Sequence, residues 1–277
     1  MEMKKGLYIG ILAAALGIAA AIAGCASNDN ASKESKSDAN VYTVATRGTA
    51  KPFSYVDDQG NLTGYDVEIL KEAERRDPSL HFEFKTMATD AAFIALKAGQ
   101  VDIIANQIRR NPKRENYCLY TNEVNNYSVR KLAVRSDRND IHSIEDLKGK
   151  KIAVTTSSEF NEYVEKFNET ANPKIDVTYT DKGSAETLNL VATGRVDAAG
   201  EYEYIINAAA KDQGLPVKAV GKTLLVVPTY FVLRREESSK PLAEKLDKAV
   251  AAMRADGTLK KISEEYLGGD YTIEPAE

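Results

Sequence analysis

Cysteine is scarce in this chain. Only Cys25 and Cys118 occur in 277 residues, and Cys25 stands at the end of an N-terminal leader. Lys4 and Lys5 precede Gly6 to Ala23, which are apolar or small apart from Tyr8. Ile22-Ala-Gly-Cys25 closes the run like a lipobox, so Cys25 is read as the lipidated first residue of the mature chain. The competing reading, a retained membrane helix, wants about 20 apolar residues and no small-residue cleavage signal. With Cys25 lipidated, Cys118 has no partner in the folded part. A disulfide scaffold is thereby excluded and stability rests on a core, for which roughly 235 residues suffice as one large domain or two lobes.

Histidine is also scarce. His81 and His142 read as a strand-end and a surface residue, and neither a metal nor a cofactor is expected. Basic charge is in slight deficit, 37 residues against 41 acidic ones, and loss of residues 1–24 leaves 35 against 40, a net −5. A mildly acidic exported chain is poorly suited to nucleic acid. No second long apolar run follows the leader, so no transmembrane segment is expected there. Asn28 to Asn40 holds no large apolar residue and reads as a flexible tether.

What is present is an alternation of strand and helix patterns. Val41 to Thr46 is β-branched and aromatic; Arg47 to Phe53 is a loop marked by Gly and Pro; the stretch from Gly64 carries Val67, Leu70 and Ala73 at helical spacing. His81 to Lys85 is a second strand, Asp90 to Lys97 a helix closed by Gly99, and Val101 to Ala105 a third strand. Tyr127 to Val134 is a further strand, after which the plan repeats. Lys151 to Val154, Ile175 to Tyr179 and Val196 to Gly200 are strands, with helices from Glu159 and over Ala185 to Ala192. Leu224 to Leu233 is one more apolar strand, and Leu242, Leu246, Val250 and Met253 mark an amphipathic helix ended by Gly257. Such alternation predicts an α/β fold with parallel sheets, whose ligands sit beyond the strand carboxyl ends. Arg47, Ala50, Thr89, Asn106, Gln107 and Arg109 lie at or near such ends. Thr156-Ser-Ser-Glu159 has capping-box spacing, which would leave Ser157 and Ser158 with free hydroxyls and N–H groups at a helix N-terminus, a ready carboxylate site or simply a well-capped helix.

The stretch around which the chain is organised is Val101-Asp-Ile-Ile-Ala-Asn-Gln-Ile-Arg-Arg-Asn-Pro-Lys-Arg114. It reads as a core strand feeding a loop. Arg114 follows Pro112 by two residues, where a turn into a helix start would hold its side chain as a carboxylate fork. The other reading is a solvated basic face made of Arg109, Arg110, Lys113 and Arg114.

This stretch resembles the "A-G-x-T-I-T-P-E-R" loop of the polar amino acid solute-binding proteins of ABC importers, extracellular solute-binding family 3. Further likenesses are Gly64-Tyr-Asp-Val-Glu68 to "G-F-D-V-E", Asp146 to Val154 to "D-L-x-G-K-x-V-A-V", Gly194 to Ala198 to "G-R-V-D-A", and Ala255 to Gly268 to "A-D-G-T-L-x-K-I-x-x-K-W-F-G". Together they cover nearly all of residues 41 to 272. The resemblance implies a two-lobed clamshell: lobe 1 at 41–131 with a return at 228–277, lobe 2 at 132–227, after a signal peptide at 1–24 and a lipid-anchored linker at 25–40. It implies a monomeric lipoprotein on the extracytoplasmic face that binds an amino acid between its lobes and delivers it to a membrane permease.

By the same resemblance Arg114 grips the ligand carboxylate, with Gln107, Arg109, Ser157 and Ser158 as neighbouring donors. The chain departs from the pattern at Ala50 and Thr89, where bulky walls are usual, at Tyr202, where an aspartate usually holds the ligand amine, and at Arg109, where a small hydroxyl is usual. These departures predict a larger and more polar pocket, with Glu201 turned inward at Gly200 to take over the amine. The loop wording is most like the cystine-binding branch. A rival implied by the same fold is a cyclohexadienyl or arogenate dehydratase with Glu201 or Glu203 as acid; the lipid anchor and the lack of histidine near the loops favour transport, with no catalytic residue.

Overall fold

The computed structural model describes residues 40–275. Cys25, the leader and the tether lie outside the described residues. β1 (Asn40–Thr46), β2 (Thr49–Ala50), β3 (Ser54–Val56) and β4 (Leu62–Thr63) lead into α1 (Tyr65–Arg76). β5 (Leu80–Thr86), α2 (Thr89–Lys97), β6 (Ile103–Ile108) and β7 (Cys118–Tyr120) complete the first series. β8 (Asn126–Arg135) enters a second one: β9 (Lys151–Thr155), α3 (Glu159–Thr170), β10 (Asp176–Thr180), α4 (Ser184–Ala192), β11 (Ala198–Tyr202) and α5 (Glu203–Asp212). β12 (Val217–Arg234) returns to the first half, and α6 (Lys240–Ala255) and α7 (Thr258–Leu267) finish the fold.

Local chemistry accounts for these elements. α1 buries Val67, Ile69, Leu70 and Ala73, opens with Asp66 and Glu68 and closes with Arg75 and Arg76, charges that complement the helix dipole at both ends. α6 begins with Pro241 in its first turn, where the missing N–H has no cost, and buries Leu242, Leu246, Val250 and Met253. Gly257, at φ 79°, takes the left-handed conformation between α6 and α7.

The strands join in the order β10-β9-β11-β8-β12-β6-β1-β5, with β7 also on β12. Pairing is parallel within β5-β1-β6 and within β10-β9-β11. It is antiparallel wherever β8 or β12 takes part. The parallel expectation therefore holds for each half and fails at the junction, because β8 and β12 run across rather than through a strand-helix-strand step. Apolar residues pack on both faces of each half: Val44, Ile69, Leu70, Ile103 and Leu246 under α1 and α6, Ala45, Leu96 and Ile104 under α2. In the second half Ile152, Val154, Phe160 and Val164 lie on one face, and Ala153, Leu188, Val191 and Ile206 on the other.

Three expectations need correction. The residues after Pro112 form a turn, with Cys118 N–H on the Arg114 carbonyl at 2.8 Å, and continue into β7 rather than a helix. β12 starts at Val217, before the expected Leu224, with its register shifting between Val220 and Leu225. α5 was not anticipated, since β11 runs straight into it without a breaker or a side-chain cap.

Candidate functional site

The carboxyl ends of β1, β6, β9 and β11 converge on a cleft of about 410 Å³ between the two halves. That is a common size for a small-molecule site. The first half lines it with Arg47, Ala50, Phe53, Ser54, Thr89, Asn106, Gln107 and Arg109. The second half supplies Ser157, Ser158, Glu159, Tyr202, Tyr204 and Ile205, and the crossing strands β8 and β12 supply Ser128, Arg130, Val227 and Thr229. All the sequence-derived candidates meet there except Arg114 and Glu201.

The first-half floor is a hydrogen-bond network. Asp66 is fully buried at the start of α1 and accepts from the Gln107 backbone N–H at 3.1 Å and from Gln107 Nε2 at 2.6 Å. Gln107 Oε1 in turn accepts from Asn126 Nδ2 at 2.7 Å and Thr229 Oγ1 at 3.1 Å. These bonds hold Gln107 at φ 53°, a conformation rare outside glycine. Desolvation pushes the Asp66 carboxyl up to about 7 against the lowering effect of the Gln107 donors. Asn106 Oδ1 accepts from the Arg47 backbone N–H at 2.9 Å, while its Nδ2 is buried with no hydrogen-bond partner among the described residues.

The basic run separates into four environments. Arg109 is ion-paired with Glu159, the first residue of α3, so the pair spans the cleft. Arg110 lies over the Tyr230 ring at 4.7 Å and donates to the Thr121 carbonyl at 3.0 Å. Lys113 is exposed. Arg114 lies over the Phe93 ring at 4.0 Å and is not among the residues that line the cleft, where the resemblance would put it. The turn after Pro112 directs it onto α2 instead.

The second half contributes its own guanidinium. Arg130 on β8 is 8% exposed, donates from Nη1 to the Gly200 carbonyl at 2.7 Å and lies over the Tyr202 ring at 4.2 Å. Its Nε is buried with no partner among the described residues. The sequence did hold a signal for it. Ser128, Arg130, Leu132 and Val134 share one side of an alternating strand, so a charge sits where the pleat points inward.

The same alternation corrects Glu201. β11 runs through Gly200 without a turn, and Gly200 and Tyr202 face Phe160 and the cleft; a Cβ on Gly200 would fall 2.1 Å from the Phe160 ring. Glu201 points to the opposite face, 4% exposed, and accepts from Ser184 Oγ and Thr187 Oγ1, both at 2.8 Å. Glu203 pairs with Lys131 at 2.8 Å and accepts from Tyr271 Oη at 3.4 Å. Ser158, not Thr156, caps α3, its Oγ accepting from Asn161 N–H at 3.1 Å. Ser157 before it has φ 58°. Aromatic surface in the lining comes from Phe53 and Tyr204, edge to face with ring centres 5.1 Å apart, and from Tyr202 stacked on Tyr204 at 5.5 Å.

Residues 42–269 match the family model of the bacterial extracellular solute-binding proteins, family 3. The L-cystine-binding protein TcyJ of Bacillus subtilis is 33% identical over 275 residues, 98% of each chain. Among solved structures, the "probable amino-acid ABC transporter extracellular-binding protein ytmK" of Bacillus subtilis is 33% identical with a TM-score of 0.77, covering 84% of this chain and 99% of that one. The L-cystine solute receptor of Neisseria gonorrhoeae, unliganded and open, is 30% identical with a TM-score of 0.73, covering 86% and 97%.

Proposed function

This chain belongs to the bacterial extracellular solute-binding proteins, family 3, and we propose that it serves an ABC importer as the binding protein for cystine or a similarly polar, extended amino acid. The observation that carries this reading is the cleft itself: donors from both halves meet at the strand ends, three of them arginines. Neither half alone can surround a ligand. Residues 132–227 act as the second lobe, turning about β8 and β12, and the ligand favours the closed form because only that form engages both linings. The closed shape is what a membrane permease receives. Cys25 carries lipid and holds the chain at the extracytoplasmic face; the lipobox spelling Ile22-Ala-Gly-Cys25 supports that part. Nothing supports the dehydratase alternative: Glu201 accepts from Ser184 and Thr187 on the far side of β11, and Glu203 is paired with Lys131.

A thermal-shift panel tests the ligand class. Cystine or another polar, extended amino acid should raise the melting temperature, with little effect from Leu, Phe or Val. Stabilisation by those apolar amino acids alone would defeat the proposal. For the anchor, Cys25→Ser should release the protein from the membrane fraction, and unchanged membrane retention would refute lipidation at Cys25.

A further inference from the structure

The cleft is rich in donors and poor in free carboxylates. The acidic groups in it or at its floor each have a partner: Glu159 is paired with Arg109, Glu203 with Lys131, Asp66 accepts from Gln107, and Glu201 faces Ser184 and Thr187 on the far side of β11. A ligand ammonium taken out of water is best met by a carboxylate, and this lining offers none that is unpaired. Two donors are in the opposite condition. Asn106 Nδ2 in the first half and Arg130 Nε in the second are buried without partners among the described residues. No carboxylate among the described residues pairs with Arg130, whose aromatic neighbours Tyr202 and Phe160 lie 4.2 and 5.7 Å from its guanidinium carbon. A guanidinium buried this far without an acid is costly unless something anionic arrives to meet it.

We propose that Arg130 determines specificity by receiving a second acid group of the ligand at the second-half wall, so that the cleft selects molecules with two carboxylates and does not read their amino groups. The first carboxylate falls to the donors around Arg47 and Asn106. The Gly200 carbonyl and the Tyr202 ring fix the guanidinium plane, which leaves Nη2, hydrogen-bonded to nothing among the described residues, for the ligand. This inference rests on the amino-acid reading of the cleft and adds to it which ends of the molecule are recognised.

The test is calorimetric titration of the purified full chain with three probes: cystine, its N,N′-diacetyl derivative and its monoamide. Acetylation should weaken binding by less than about 5-fold, whereas amidation of one carboxylate should weaken it by about 30-fold, the size of one lost charged hydrogen-bond pair. Arg130→Gln should cost about 30-fold for cystine and less than about 3-fold for the monoamide, because the monoamide has already lost the group that Arg130 receives. Arg130→Lys keeps the charge and guards against a folding defect; it should fall between wild type and the Gln variant. If Arg130 merely props the Gly200 carbonyl, both variants will weaken cystine and its monoamide equally, and the proposal fails while the cleft reading stands. A large loss on acetylation alone overturns it as well. Absence of binding by all three probes overturns both this proposal and the ligand class from which it starts.

Discussion

Asp66 is a carboxyl group with no surface at all, and its chemistry makes a direct prediction. Its folded pKa of about 7 lies above the usual 3.8, so folding takes up a proton between those values. Stability from this group is fully present below about pH 4 and is lost as pH rises through about 7. Comparing Asp66→Asn with wild type isolates the effect. In urea titrations from pH 4 to 7.5 the wild type should lose about 2 to 4 kcal/mol more than the variant; parallel curves would mean that Asp66 ionises without penalty. Residue identity was the least legible level of the sequence. The loop motif picked out Arg114, yet Phe93 beneath it was invisible as a stacking partner. Arg130 belonged to no motif and was marked only by its place in an apolar alternation. Arg47, Asn106 and Gln107 were legible as cleft-lining residues because strand ends are positions rather than identities.

At the scale of elements the strand and helix periods carried the reading well, since α1, α2, α4 and α6 each have an apolar stripe bounded by Gly or Pro. α5 escaped because Tyr202 ends β11 and serves as its N-cap with no side-chain bond, leaving no signal of a boundary. The junction of β11 with α3 is tight enough to predict from. Gly200→Ala sets a methyl group against Phe160 and should destabilise the protein by about 1 to 3 kcal/mol, as overpacking does. A melting temperature within about 1 °C of wild type would show that Phe160 yields freely. Ser158→Ala removes the α3 cap and should cost about 1 kcal/mol. Chemical denaturation resolves that loss, and no change would place the cap elsewhere.

For the whole molecule, closure has a measurable size. The Arg109–Glu159 pair already joins the halves across the cleft mouth, and a ligand adds contacts on both sides. Small-angle scattering with and without cystine should report a smaller radius of gyration in the complex, and identical profiles at saturation would exclude a clamshell motion. The paired α/β halves were legible as a repeated strand-helix plan. What the plan concealed was their seam: β8 and β12 each lie in one continuous strand across a lobe boundary drawn from motifs, because strand patterns do not announce a change of partner.

β12 also fixes when this protein can fold. It pairs Val232 with Ile104 and Val217 with Arg135, so one late strand completes the sheets of both halves. A chain emerging from its amino end thus carries more than two hundred residues before β6 and β8 meet the strand that joins them, and nonlocal pairing of that kind is slow. Truncation after Pro216 should leave neither half cooperatively folded by circular dichroism, and a surviving cooperative transition would show that one half stands without the shared strand.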